Sequence, residues 1–221
     1  MRRFHSFLTL VFVAMLPVLF ASCSDDNEEP DEYENWEVRN DAYFNHIRQL
    51  AQDSIRQAKN AYGDRWRDYS NWMAFLSYSL DSTIVNESTD SIYVQVLKRG
   101  SGPGCPLSSD SCRIFYRGRL IPSESYPEGY VFAHSGQSSK FEEIFNANTS
   151  VPTIMRPSTA VKGFGTAMQN MHVGDRWRVY IPAELAYGST STSAIPAHST
   201  LIFELELLAY YRKGTGVPSW N

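Results

Sequence analysis

The strongest constraint on the fold of this chain is the alternation in its last fifty residues. Val173-Gly174-Asp175-Arg176 opens a segment in which Trp177, Val179 and Ile181 alternate with Arg176, Arg178 and Tyr180. A second segment from Thr200 to Leu208 sets Leu201, Phe203, Leu205 and Leu207 against Glu204 and Glu206. A period of two puts each set on its own face of a β-strand. Between the two segments, Ala186-Tyr187-Gly188 reads as a turn, followed by a Ser/Thr-rich loop and Ile195-Pro196-Ala197-His198. Upstream, Ile92, Val94 and Val96 alternate with Tyr93 and Gln95, and Cys112, Ile114 and Tyr116 alternate with Arg113, Phe115 and Arg117. The one short helix of this region is expected over Pro157–Asn170, with Val161, Phe164, Ala167 and Met168 as its apolar stripe. The fold class is therefore α+β: an antiparallel half-barrel of strands wrapped on one short helix, preceded by an N-terminal helical segment.

That N-terminal segment has helical periodicity. From Asn40, Tyr43, Ile47, Leu50, Ser54, Ala58 and Ala61 recur at three- and four-residue steps, and Phe44, Ala51, Ile55 and Tyr62 widen the stripe. Asn40 or Asp41 suits the N-cap, Gly63-Asp64 the end, and Asp68–Leu80 reads as a second, shorter helical piece. Such a helix either packs on the domain as an appendage or serves as an arm through which two copies pair. The expected organisation is a leader over 1–22, an acidic tether over 23–39, the helical segment over 40–80, an independently folding domain over 91–212 and a tail over 213–221.

The leader is read from Arg2 and Arg3 followed by the 14-residue apolar run Phe7–Phe20, too short to span a bilayer comfortably. Phe20-Ala21-Ser22-Cys23 then resembles a bacterial lipobox, with Phe20 where Leu is usual. The resemblance implies lipid on Cys23 and a cell-envelope location, anchored to the outer membrane on its periplasmic or outer side. Ser24-Asp25-Asp26-Asn27-Glu28-Glu29 resembles the acidic export signal of Bacteroidetes surface lipoproteins. Export permits a disulfide between the other two cysteines, Cys105 and Cys112, although an inward-facing Cys112 suits a buried free thiol as well. The net charge of -4 and the scatter of basic residues argue against nucleic acid as a partner. The five histidines are too dispersed for a metal site, and no cofactor is expected.

Four blocks carry a resemblance to the FKBP-type peptidyl-prolyl cis-trans isomerases: Tyr116-Arg117-Gly118-Arg119-Leu120, Val161-Lys162-Gly163-Phe164, the Ala186-Tyr187-Gly188 turn with its loop to His198, and the last strand. By position, the resemblance implies an apolar proline pocket. Tyr116 and Phe132 line one wall, Phe164 forms the floor where many members carry tryptophan, and Phe203 closes the back. The Val161 backbone N–H holds a substrate carbonyl, Tyr187 supplies a rim hydroxyl, and Ile195 flanks the loop. Tyr116, Phe132 and Tyr187 are the implied catalytic set, and Val161, Phe164, Ile195 and Phe203 the substrate-binding set. His198 reads as structural. One position departs from the pattern: the residue after Phe132 is usually Asp and here is Ala133. The expected function is isomerisation of proline-containing polypeptides in the envelope, and the alternative is a peptide-binding or scaffold lipoprotein with little or no activity.

Overall fold

The computed structural model describes residues 31–78 and 89–220, so the leader, Cys23 and the first part of the tether lie outside the described residues. Seven strands form one antiparallel sheet: β1 (Trp72–Leu76), β2 (Ser91–Lys98), β3 (Ser111–Arg119), β4 (Val131–His134), β5 (Thr153–Met155), β6 (Arg176–Ile181) and β7 (Leu201–Tyr211). Their order is β1-β2-β6-β7-β3-β4, with β5 sharing the outer edge of β3 with β4. Among the described residues, four helices accompany them: α1 (Trp36–Tyr62), α2 (Trp66–Tyr69), α3 (Phe141–Ile144) and α4 (Lys162–Asn170).

Register explains which side chains meet. Val94, Val179 and Phe203 lie opposite one another across β2, β6 and β7, as do Trp177 and Leu205. Paired residues share a face, so these rows form the concave inner surface. The sequence placed α4 against it, and α4 packs there with Phe164, Ala167 and Met168 buried. Gly163 allows the close approach, since a Cβ on it would come within 2.4 Å of Ile181 Cγ2.

The outer face is also covered. Tyr93, Tyr180 and Ile202 form its upper row, and α1 lies over it. The Phe44 ring sits 5.6 Å from that of Tyr93, and Tyr43 lies 6.5 Å from Tyr180. The buried stripe of α1 is Trp36, Asn40, Phe44, Ile47, Ala51 and Ala58, so the appendage role is taken in cis. Leu50 and Tyr62, counted in the expected stripe, remain exposed.

Two expectations for this region are corrected. The helix begins at Trp36, one turn before the expected cap, and Asn40 lies inside it. Asn40 is buried because its side chain bridges two backbones, donating to Trp36 O at 2.7 Å and accepting from Thr200 N–H at 2.8 Å. The second helical piece is only the four residues Trp66–Tyr69. Residues 72–76 are instead strand β1, and Leu80 is outside the described residues. The boundary at Ser91 therefore cuts between two paired strands, because Met73 lies opposite Val94 and Phe75 opposite Ile92.

Lower on the outer face, the two glutamates of β7 are buried beneath arginines. Glu204 is fully buried and bonded by Arg178 Nε at 2.9 Å, Arg117 Nε at 3.1 Å and Arg119 Nη2 at 3.2 Å. Glu206 takes Arg176 at 2.7 Å and Lys98 at 3.4 Å. The remaining end is closed by α3, where Phe115, Ile144 and Phe145 make a small separate core, and by the tail, where Trp220 meets Phe115 edge-on at 6.2 Å.

Cys105 and Cys112, the pair that export would permit to bridge, are both free thiols in this structure. Cys112 points from β3 into the core and is fully buried, which pushes its thiol up to about 12, with Asp110 adding to the effect. Cys105 sits in the preceding loop beside His172, 4.0 Å from its Nε2. The inward, buried position of Cys112 is one of the two readings open from the sequence.

Candidate functional site

The open end of the concave sheet, where α4 begins, holds a pocket of about 720 Å³. All seven residues singled out from the sequence line it. Phe164, in the first turn of α4, forms the floor and is buried. The Phe203 ring stands edge-on to it at 4.8 Å, and Phe132 from β4 stands edge-on to Phe203 at 5.5 Å. Tyr116 of β3 completes the aromatic cup, 6.1 Å from Phe164 and 6.5 Å from Phe203. Edge-to-face contacts at these separations are the favoured arrangement of aromatic rings and hold the walls rigid.

One residue that shapes the cup was not singled out for it. Gly118 lies on β3 directly opposite Phe203 of β7 and Ala133 of β4. A Cβ there would come within 2.5 Å of the Phe203 ring and 2.7 Å of the Phe132 ring. Only a glycine lets both rings lie flat against the strand. The signal was present in Tyr116-Arg117-Gly118, but its meaning depends on cross-strand neighbours that one sequence does not display.

The rim is polar in a few places. Val161 is the N-cap of α4, and the helix's first closed bond runs from Gly165 N–H to Val161 O. The Val161 N–H is thus one of the donors a helix leaves outside its own ladder, and it stands at the pocket wall. Tyr187 follows a 3-10 turn at Ala183–Leu185 and is 42% exposed, so its phenol reaches the mouth. Burial pushes the Tyr116 phenol up from its usual value, and the neighbouring Tyr187 adds to this, so Tyr116 stays protonated at neutral pH. Ala133 also lines the pocket, where it offers a methyl group and no polar atom.

The loop from Tyr187 to His198 forms the remaining side. It is braced internally, with Thr192 N–H bonded to Ile195 O at 2.8 Å and Ile195 N–H to Thr192 Oγ1 at 3.0 Å. Helix α1 anchors its far end: Trp36 Nε1 donates to Ser199 Oγ at 2.8 Å, and His198 Nδ1 lies 3.1 Å from Glu37 Oε1. This supports the structural reading of His198, whose backbone is in the left-handed region at φ 59.

An antiparallel sheet curled on one short helix, with an aromatic pocket at its open end, defines a small α+β domain with an apolar pocket. Residues 103–208 match the family of FKBP-type peptidyl-prolyl cis-trans isomerases. A macrophage infectivity potentiator of Trypanosoma cruzi is 38% identical over 123 residues, covering 55% of this chain and 54% of its own. The FKBP-type 22 kDa isomerase of Escherichia coli K12 is 35% identical over 125 residues, covering 56% of this chain and 52% of its own. The outer membrane protein MIP of Legionella longbeachae is 28% identical over 137 residues, covering 62% and 51%. The chain spans about half the length of these curated relatives.

Proposed function

We propose that the protein is a peptidyl-prolyl cis-trans isomerase acting on proline-containing polypeptides of the cell envelope. The observation that carries this reading is the convergence of Tyr116, Phe132, Phe164 and Phe203 into one aromatic cup, with Val161, the N-cap of α4, in its lining. An X–Pro bond turns over in tens to hundreds of seconds, held by an amide-resonance barrier of about 18–20 kcal/mol. Twisting the bond breaks the resonance and reduces its polarity. An apolar cup therefore accepts the twisted imide more readily than the planar, well-hydrated ground state. The Val161 donor fixes a flanking carbonyl, and the Tyr187 hydroxyl is placed to do the same from the rim. No proton moves and no covalent bond forms.

Ala133 favours a second reading, a peptide-binding module of low activity. In a protease-coupled assay on a proline tetrapeptide we expect a measurable rate, lowered by Tyr187→Phe. Ala133→Asp would restore an orienting contact of about 1–3 kcal/mol and raise turnover by roughly one to two orders of magnitude. No catalysis by either the natural protein or Ala133→Asp would leave the binding module.

The envelope location rests on the leader and on Cys23, together with the name of the Legionella relative, an outer membrane protein. No helix among the described residues is long and apolar enough to cross a membrane, so attachment in this account is through lipid on Cys23. Cys23→Ala is expected to move the protein from the membrane to the soluble fraction; unchanged partitioning would remove the anchor. A homodimer through α1, the other role its periodicity suited, would rest on the exposed Leu50 and Tyr62, and sedimentation reads it directly.

A further inference from the structure

A second cavity, of about 410 Å³, opens on the far side of the loop that walls the first. Thr192, Ala194 and Ile195 line both, so a wall one chain thick separates them. Its other sides are three tyrosines, Tyr33 ahead of α1 and Tyr126 and Tyr130 from the excursion between β3 and β4.

The cavity is held in shape by contacts between distant parts of the chain. The Glu32 carboxylate accepts from Ser125 N–H at 3.2 Å, fastening the N-terminal segment to the excursion. Tyr126 and Tyr130 meet edge-on at 5.1 Å. Tyr33 meets Trp36 edge-on at 4.9 Å, and the Trp36 indole is itself bonded to Ser199 just beyond the shared loop. Burial pushes the Tyr33 phenol above its usual value, with Tyr126 and Tyr130 contributing, so it remains a neutral donor.

Among the described residues, no charged side chain lines this cavity. Phenol rings present flat apolar surface with a hydroxyl at the edge, a chemistry that suits an uncharged aromatic side chain flanked by backbone carbonyls. The shared wall decides whose side chain it is. An extended chain advances about 3.3 Å per residue and neighbouring chain layers lie roughly 5–10 Å apart, so roughly three residues carry it over a wall one chain thick. A polypeptide with its proline in the first pocket reaches the second without a break.

We propose that the tyrosine cavity is a subsite for an aromatic side chain about three residues from the proline on the same polypeptide. The proposal rests on the first pocket being the proline site. It also lies partly outside the family segment, since Tyr33 precedes residue 103. It therefore makes sequence preference a property of this chain rather than of the family domain alone.

Calorimetric titration of the full chain tests it, using ten-residue peptides with one central proline and a tryptophan three residues before or three after it. Matched peptides carry alanine in place of the tryptophan. One of the tryptophan peptides is expected to bind about five- to tenfold tighter than its alanine match, since linking two contacts multiplies their affinities. Tyr126 is 42% exposed and does not line the first pocket, so Tyr126→Ala should fold normally. That variant is expected to erase the preference and leave the affinity for the alanine peptide unchanged. Equal affinities, no measurable binding, or a preference that survives both Tyr126→Ala and Tyr33→Ala overturns the subsite. Turnover of the same peptides reads the first pocket separately. A tryptophan preference without isomerisation upholds the subsite and removes the catalysis.

Discussion

A chain that begins at Ser91 is expected to lose its cooperative unfolding transition, although it keeps every residue of the aromatic pocket. The reason lies in what the cut uncovers. Tyr93, Tyr180 and Ile202 are all retained and all buried under α1, and the backbone of β2 loses its partner β1. Re-exposing three large side chains costs about 5–8 kcal/mol as an upper estimate. A domain of this size has about 5–15 kcal/mol in total. Calorimetry on chains starting at Glu32 and at Ser91 checks this: the first should melt in one transition, the second should show none and bind a hydrophobic dye. A sharp transition from the Ser91 chain within a few degrees of the longer one would restore the boundary expected from sequence.

The second large effect is expected at Glu204, far from the pocket in function but central to the sheet. It is fully buried and meets three arginines, of which Arg119 is itself buried. Glu204→Ala leaves the guanidinium groups facing one another without their counter-charge, a change that costs about 3–5 kcal/mol for a buried pair. For a domain of this size the melting temperature should fall by roughly 10 °C. Glu206→Ala should cost clearly less, because it releases two cations rather than three and one of them, Lys98, is largely exposed and re-solvates easily. Equal losses at the two positions would contradict the burial argument.

What the sequence made legible follows from the range of the forces involved. The strands β2, β3, β6 and β7 and helix α4 were readable because each carries its own periodicity. The pocket residues were readable because the resemblance carried them over by position. The β1 strand was not: Trp72-Met73-Ala74-Phe75-Leu76 is a continuous apolar run, which suits helix and strand equally until a partner decides. Asn40 misled as a cap because Asn is a favoured cap, whereas here it reaches Thr200 across 160 positions of sequence. The charged side of β7 was placed on the correct face, but nothing local says that a glutamate will be buried. That follows from Arg117 and Arg178 sitting directly opposite Glu204 in register.

The measurement that bears most directly on the central claim is exchange NMR on a proline peptide, with the protein at catalytic concentration. It reads cis/trans interconversion without a coupling protease. The natural protein should accelerate interconversion well above the spontaneous rate. Gly118→Ala should abolish most of that acceleration, because its Cβ drives into the Phe203 and Phe132 rings. The folded state can be confirmed in the same spectra. An interconversion rate equal to the spontaneous one for the natural protein, or full acceleration retained by folded Gly118→Ala, would contradict the claim that this pocket is where the bond is turned.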